Sequence, residues 1–378
     1  MRRFVRGVLG LIALACMGWW ASCASMQEIR LGVAGPLSGE QATLGQDVLN
    51  GVTLAVDEWN AKGGVLGRKI TLIPVDDENN PDKAKEAAYY LSRKKPLVVI
   101  GHVDSGCSLA AAKTYQDNDV VMISPTSTSP RLTEAGMDHV FRVCGRDDFQ
   151  GRAAAVWLIK HYPQRTVAVV SDNSDYGRGL ADEFVRNYEF LSARKVLLRE
   201  EVKRGDPTLE PALTRCLEAR PDLVFFGGLA NQGGAFLKAL RQHGSLAVFM
   251  GGDGCFGKPF LEAAGTEVAT GALVVFYPDF SELPGTRTRT FLETYQVRFK
   301  APPGPFAIFG YKAAQVALAA VGQAGVPLNG RTIAQALHRL TFETVFGLLR
   351  FTDKGDPVDV PLSVWVVEEG SFKEIGGS

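Results

Sequence analysis

The sequence predicts an α/β fold of two doubly wound, Rossmann-like lobes joined by a multi-strand hinge. Three observations predict it. Short apolar runs alternate with longer amphipathic stretches from Ile29 to Phe276, the pattern of parallel strands linked by crossover helices. The chain has 378 residues, more than one hydrophobic core ordinarily serves. After Phe276 the pattern turns mostly helical, as in a chain that returns to its first lobe and crosses between lobes more than once.

The strands come first. Ile29–Ala34, Ile70–Val75, Leu97–Gly101 and Val120–Ile123 are short apolar runs, and Thr166–Ser171, Leu223–Gly228, Val248–Gly251 and Ala272–Phe276 repeat them downstream. Runs that are apolar throughout suit strands covered on both faces. Helical spacing fills the intervals over Thr43–Asn60, Pro81–Ser92, Ser105–Gln116, Phe149–His161, Tyr176–Leu191, Leu209–Glu218 and Gln232–His243. Asn79-Asn80-Pro81 opens one of these helices and Ala61-Lys62-Gly63-Gly64 closes another, by the usual capping and breaking chemistry. Beyond Phe276, helical stretches at Arg287–Phe299, Phe306–Val321 and Thr332–His338 precede strand-like Leu348–Thr352 and Ser363–Val367. Crossings are expected near Val140–Cys144, Tyr277–Pro278 and Phe346–Leu348. Residues 27–147 with 278–347 then form the first lobe, and 148–277 with 348–378 the second.

Residues 1–25 differ from the rest. Arg2, Arg3 and Arg6 form a basic start, Val8 to Ala21 carries no charge, and small residues follow. This is the layout of an export signal, too short in its apolar core for a span of about 20 residues. Ser22-Cys23-Ala24 reads as an ordinary cleavage site, or Ala21-Ser22-Cys23 as a lipobox with Cys23 lipidated; Cys16 is an earlier candidate. Basic and acidic residues balance at 41 each, and loss of the leader arginines makes the chain slightly acidic. No basic stretch tracks a phosphate backbone, so nucleic acid is not an expected partner. Cys107, Cys144, Cys216 and Cys255 show no CxxC spacing, which argues against a zinc site or a redox dithiol. An exported chain could oxidise them, but free buried thiols are the plainer expectation.

Two loops carry candidate binding chemistry. Gly101-His102-Val103-Asp104-Ser105-Gly106 follows one apolar strand and Ser124-Pro125-Thr126-Ser127-Thr128-Ser129-Pro130 follows the next. Open α/β sheets bind ligands beyond the carboxyl ends of their strands. Ser105, at a helix start, offers hydroxyl and N–H donors to a carboxylate, and Thr126 and Thr128 add donors in a loop fenced by prolines. Alternatively, Ser105 is only a helix cap and Thr128 only a turn residue. In the second half, Tyr176 and Asp253 also follow strands, and an acid beside an aromatic face suits an ammonium. Gly252-Asp253-Gly254-Cys255-Phe256-Gly257 matches G-x-G-x-x-G, with Asp279 near the acidic position. Lys258-Pro259 follows at once, and the motif denotes dinucleotide binding only where it opens a long helix. The five histidines are scattered, and Asp76-Asp77-Glu78 reads as a capped loop. No catalytic or metal motif emerges.

These residues resemble a known family. Val33-Ala34-Gly35-Pro36-Leu37-Ser38-Gly39, Asn60-Ala61-Lys62-Gly63-Gly64, Val75-Asp76-Asp77, Ile100-Gly101-His102, Ser124-Pro125-Thr126-Ser127-Thr128, Tyr176-Gly177-Arg178-Gly179, Phe226-Gly227-Gly228 and Phe351-Thr352-Asp353-Lys354-Gly355-Asp356 occur in this order. Together they resemble the periplasmic leucine/isoleucine/valine-binding protein family, type I periplasmic binding proteins that serve ABC importers as amino-acid receptors. The resemblance runs from about Glu28 to Val367. It implies that Ser105 and Thr128 hold a ligand's α-carboxylate and help with its ammonium, and that Thr126 offers its backbone. By the same resemblance Asp253, where the family often has glutamate, takes the ammonium, Tyr176 closes over the ligand, and Phe306 is a pocket aromatic. Leu44 and Leu229 stand where the branched-chain binders carry tyrosines, which implies a wider, more apolar pocket. Asn79 and Asp104 occupy the positions of the family's small disulfide, so Asp104 adds a carboxylate beside the loop. The resemblance implies a monomer without enzymatic activity, cofactor or metal. It captures a small-molecule amino acid outside the cytoplasm by hinge closure and passes it to an ABC permease in the membrane. A branched-chain or another apolar or aromatic side chain fits; a non-amino-acid solute, such as an aromatic acid or an amide, or a sensor role are the alternatives.

Overall fold

The computed structural model describes residues 28–279, 281 and 287–377. The export signal read at residues 1–25, with Cys16 and Cys23, lies outside the described residues. Five strands, β1 (Ile29–Gly35), β2 (Ile70–Asp76), β3 (Val98–Ile100), β4 (Val121–Ser124) and β5 (Val140–Arg142), form one sheet in the order β2-β1-β3-β4-β5. All its pairs are parallel. Every residue of β3, β4 and β5 is buried, which is why the sequence is continuously apolar there.

The second lobe repeats the plan. Strands β6 (Val167–Asp172), β7 (Leu198–Val202), β8 (Leu223–Gly227), β9 (Val248–Gly251) and β10 (Leu273–Phe276) run β7-β6-β8-β9-β10, again parallel. A hairpin, β11 (Thr341–Thr344) and β12 (Gly347–Arg350), stands apart. Strands β13 (Ser363–Glu368) and β14 (Ser371–Gly377) then extend the second sheet antiparallel beyond β10. In both five-strand cores the strand that comes first along the chain sits between the second and the third. Each sheet therefore has a switch point, β1/β3 in one and β6/β8 in the other, where the flanking loops part and leave a crevice.

The predicted strands and helices are present within a few residues. β7 is not among them: Leu198-Arg199-Glu200-Glu201-Val202 is a sheet-edge strand with alternating exposure, and its charges hide it in the sequence. The helix expected from Phe149 starts at Asp147, so it spans Asp147–His161 with two acids in its first turn. The last crossing also falls later than the pattern places it. Leu349 and Phe351 belong to the core of the first lobe, and Leu362, Val364 and Val367 to that of the second. The apolar hairpin needs cover, and the first lobe supplies it.

The crossing segments are tied to each other. Tyr277 hydroxyl accepts from Gly145 N–H at 2.6 Å, and Trp365 Nε1 donates to Tyr277 carbonyl at 2.9 Å. Cys144, Phe276, Tyr277 and Phe309 form a small buried cluster around them. Beside it Arg142, fully buried, pairs with Asp356 at 2.7 Å. Arg142 also donates to the carbonyls of Ser127 at 2.6 Å and Ser129 at 2.8 Å, and to Thr133 hydroxyl at 2.9 Å. One guanidinium thus joins a crossing segment to the loop that follows β4. Asp356→Ala is expected to lower unfolding stability by about 3–5 kcal/mol, since it leaves a buried charge without its partner. Urea denaturation of the purified variant measures this, and a loss under about 1 kcal/mol would contradict the buried pair's role.

Candidate functional site

The two switch points face one another across a cleft. Leu44, Asp104, Ser105, Thr126, Tyr176, Leu229, Asp253 and Phe306 all line it, together with Asn79, Val103 and Gly254. Thr128 does not line it. Its side chain is buried and faces Asp147, a neighbour of Asp253.

At the first-lobe end, the helix Ser105–Asp117 points its N-terminus into the cleft region. Its cap is Asp104, not Ser105: Asp104 Oδ1 accepts from Gly106 N–H at 2.8 Å. Ser105 is thereby left as the first helical residue. Its hydroxyl oxygen accepts from Ser129 N–H at 3.3 Å, and its own O–H remains a donor. Thr126 hydroxyl donates to Val103 carbonyl at 2.9 Å, so this residue has its backbone, not its side chain, to offer. Behind the loops, buried hydroxyls hold the two together: Ser124 donates to His102 carbonyl at 2.8 Å, and Ser108 and Ser127 meet at 2.6 Å. His102 itself lies between Asp77 Oδ2 at 2.6 Å and Tyr115 hydroxyl at 3.1 Å, fully buried. In the sequence His102 is one of five scattered histidines and Asp77 reads as part of a capped loop; the fold makes them one brace.

At the second-lobe end, Tyr176 hydroxyl donates to Asp253 Oδ1 at 2.6 Å, and Gly254 N–H donates to the same oxygen at 2.9 Å. Burial nevertheless holds the Asp253 carboxyl above the ordinary carboxylate range, because a charge there has lost its water. The Gln150 side chain also hydrogen-bonds this carboxyl, and its Oε1 accepts from Asp253 N–H at 2.6 Å. Residues 253–255 form a single 3-10 turn, and the helix after Gly257 is only Lys258–Ala264. The G-x-G-x-x-G string thus serves to place Asp253, with no long helix to receive a pyrophosphate.

Asp147 is the residue that sequence reasoning missed. It is fully buried at the start of the helix Asp147–His161, and neither of its carboxylate oxygens nor the Thr128 hydroxyl it faces finds a hydrogen bond of good geometry. Burial first, and the neighbouring charge of Asp253 second, push its carboxyl well above the usual range. Nothing in the sequence separates it from Asp148, which simply pairs with Arg146 at 2.8 Å.

Arg204, after β7, was also not foreseen. It reaches across the cleft to Asp104 at 3.2 Å and back to Asp172 of its own lobe at 3.1 Å. The carboxylate of Asp104 is therefore countered from the opposite lobe. A second pair across the cleft, Arg131 to Asp175 at 2.8 Å, is more exposed. Cys107, Cys144, Cys216 and Cys255 are free and buried. Among the described residues no cluster suits a metal and no helix is long and apolar enough to cross a membrane.

Two lobes gripping one polar-ended, apolar-walled cleft define a solute-binding receptor. The model of the periplasmic binding protein family matches residues 28–371, and the chain belongs to that family of extracytoplasmic receptors. It is 31% identical over 346 residues to the Leu/Ile/Val-binding protein BraC3 of Rhizobium johnstonii, covering 91% of this chain and 93% of that one. The structure of the branched-chain amino acid transporter substrate-binding protein LivJ of Streptococcus pneumoniae, in complex with isoleucine, superposes with a TM-score of 0.84 at 26% identity, over 93% of this chain and 99% of that one. A solute-binding protein of an ABC transporter from R. palustris, in complex with benzoate, shares the fold with a TM-score of 0.80 at 24% identity, over 93% of this chain and 96% of that one.

Arg204→Ala strips two buried carboxylates of their shared counter-charge and is expected to cost about 2–4 kcal/mol of stability. Arg131→Ala, at the exposed pair, is expected to cost under about 1 kcal/mol. Thermal unfolding of both variants side by side checks the contrast; equal losses would refute it.

Proposed function

We propose that the protein captures an α-amino acid with an apolar side chain between its lobes and delivers it to an ABC permease, without itself catalysing a reaction. The observation that carries this reading is the opposite chemistry of the two ends of the cleft. The first-lobe end offers donors: the Ser105 hydroxyl, backbone N–H groups and the positive end of a helix dipole. The second-lobe end offers acceptors: Asp253, framed by Tyr176, with Asp147 close by. A zwitterion satisfies both ends at once. Leu44, Val103, Leu229 and Phe306 line the same cleft and suit a branched-chain or aromatic side chain. The names of BraC3 and of the isoleucine complex support this class of ligand. A carboxylic acid without an ammonium leaves Asp253 with no cation to meet. In this reading the first 25 residues export the chain, and Cys23 is the candidate point of a lipid anchor.

Mass spectrometry of ligand released by mild denaturation, followed by calorimetry with a panel of amino acids, tests the proposal. Asp253→Ala is expected to weaken binding by at least ~2 kcal/mol, because a buried ammonium loses its partner. Unchanged affinity removes the ammonium assignment.

The raised carboxyl of Asp147 gives a second test. A carboxyl whose folded value lies above its unfolded one binds more protons in the folded state, so stability falls as pH rises past about 4. A ligand cation offsets that cost. Asp147→Asn is therefore expected to stabilise the ligand-free protein at neutral pH by roughly 1–3 kcal/mol while weakening ligand binding. Unfolding curves with and without ligand report both effects, and a variant less stable than the wild type when ligand-free counts against the idea.

A further inference from the structure

Phe306 is part of the apolar wall of the cleft, yet its place is set from another element. It immediately precedes the helix Ala307–Gln323, and no side chain of that helix's own leading residue caps it. The cap comes from Asp47, on the helix Ala42–Ala61. Asp47 Oδ1 accepts from Gly304 N–H at 2.9 Å, and Oδ2 accepts from the N–H groups of Phe306 and Ala307, both at 2.8 Å. A Cβ at Gly304 would lie 2.6 Å from Asp47 Oδ2, so the turn admits the carboxylate only because residue 304 is glycine. The two helices that carry this contact are in backbone contact themselves: a Cβ at Gly51 would lie 1.8 Å from Ala307 carbonyl. Leu44, one turn before Asp47, lines the same cleft as Phe306. The Phe306 ring completes its setting edge-on against Phe276, 5.8 Å between centroids.

We infer that Asp47 is a positioning residue: by gripping the Gly304–Ala307 turn it fixes where Phe306 closes the side-chain end of the cleft and so tunes discrimination among ligand side chains. The inference rests on the amino-acid reading for its ligand and on the three hydrogen bonds for its geometry. Asp47 has no basic partner among the described residues. The titratable group facing it from the neighbouring helix Thr288–Phe299 is Tyr295, whose hydroxyl accepts from Asn50 at 3.1 Å. Burial pushes the Asp47 carboxyl up to about 6 against the pull of its three N–H donors. Protonation in mildly acidic medium therefore removes an acceptor from the turn and loosens its hold on Phe306.

The test is a double-mutant cycle on the full mature chain, with calorimetric titration of L-leucine, L-phenylalanine and L-alanine. Asp47→Asn is expected to weaken binding of the two larger ligands about tenfold and to leave L-alanine within about twofold. In a Phe306→Ala background the same substitution is expected to change little. The wild-type preference for L-leucine over L-alanine is expected to narrow between pH 7 and pH 5, and that of Asp47→Asn to stay flat, because protonation of Asp253 or Asp147 at the ammonium end affects both ligands alike. Gly304→Ala, whose Cβ displaces the carboxylate while Asp47 itself is kept, is expected to reproduce the Asp47→Asn profile and serves if that variant folds poorly. Equal losses in both backgrounds, or a uniform loss over all three ligands, overturn the inference. Should the wild type bind none of the three, the amino-acid reading fails on its own. The amide resonances of Gly304, Phe306 and Ala307 then decide the matter: their movement with a common midpoint near pH 6 supports the positioning role, and their indifference to pH overturns it.

Discussion

A parallel strand buried on both faces can carry polar chemistry only where it ends. That constraint organises this protein. The interiors of β3, β4, β8 and β10 are wholly buried, so hydroxyls, carboxylates and free N–H groups collect at their carboxyl ends. Ser105 follows β3, Thr126 follows β4, Tyr176 follows β6, Leu229 follows β8 and Asp253 follows β9. Because both sheets adopt the same strand order, each opens a crevice at an equivalent place. The cleft is what results when those two edges meet.

Charge is distributed around the cleft with a clear division of labour. Arg142 is matched by Asp356, and Arg204 by Asp104 and Asp172. These pairs tie loops and lobes to each other, and their burial makes each partner costly to lose. Asp253 and Asp147 have no such cation among the described residues. Both sit where desolvation works against their charge. Stability alone would favour replacing them, which is the usual relation between a binding site and the fold that carries it.

The fold was largely legible in the sequence because its strands are apolar runs of the right length and its helices keep a helical period. β7 was not legible, since an edge strand with Arg199, Glu200 and Glu201 reads as a charged loop. Ser105, Thr126, Tyr176 and Asp253 were legible because position just after a strand is a local property, whereas Leu44, Asp104, Leu229 and Phe306 were legible only through the family resemblance. Thr128 meets the same local criterion, yet its buried side chain faces Asp147. The role of helix cap fell to Asp104 instead of Ser105, because one residue of offset at a helix start cannot be read from composition. Asp147 resembles any acid in a first helical turn. Arg204 and Asp104 are 100 residues apart, and Asp47 and Phe306 are 259 apart; no periodicity links such pairs.

The sequence by itself marked Leu44, Leu229 and Phe306 as pocket residues through its resemblance to the family, and determined the alternation of strand and helix and the polar strand ends through its local pattern. The alternation and the strand ends are properties of neighbours along the chain, where hydrophobic period and turn chemistry act directly. Only the tertiary structure decided which charges are paired and which are left open, which hydroxyls face the cleft, and that the helix behind Phe306 is capped by a different helix. Each of those depends on contacts between distant segments, set by sheet order and by the meeting of two lobes. Burial then assigns the energy, because a carboxylate gains or loses its solvent only when something far away in sequence covers it.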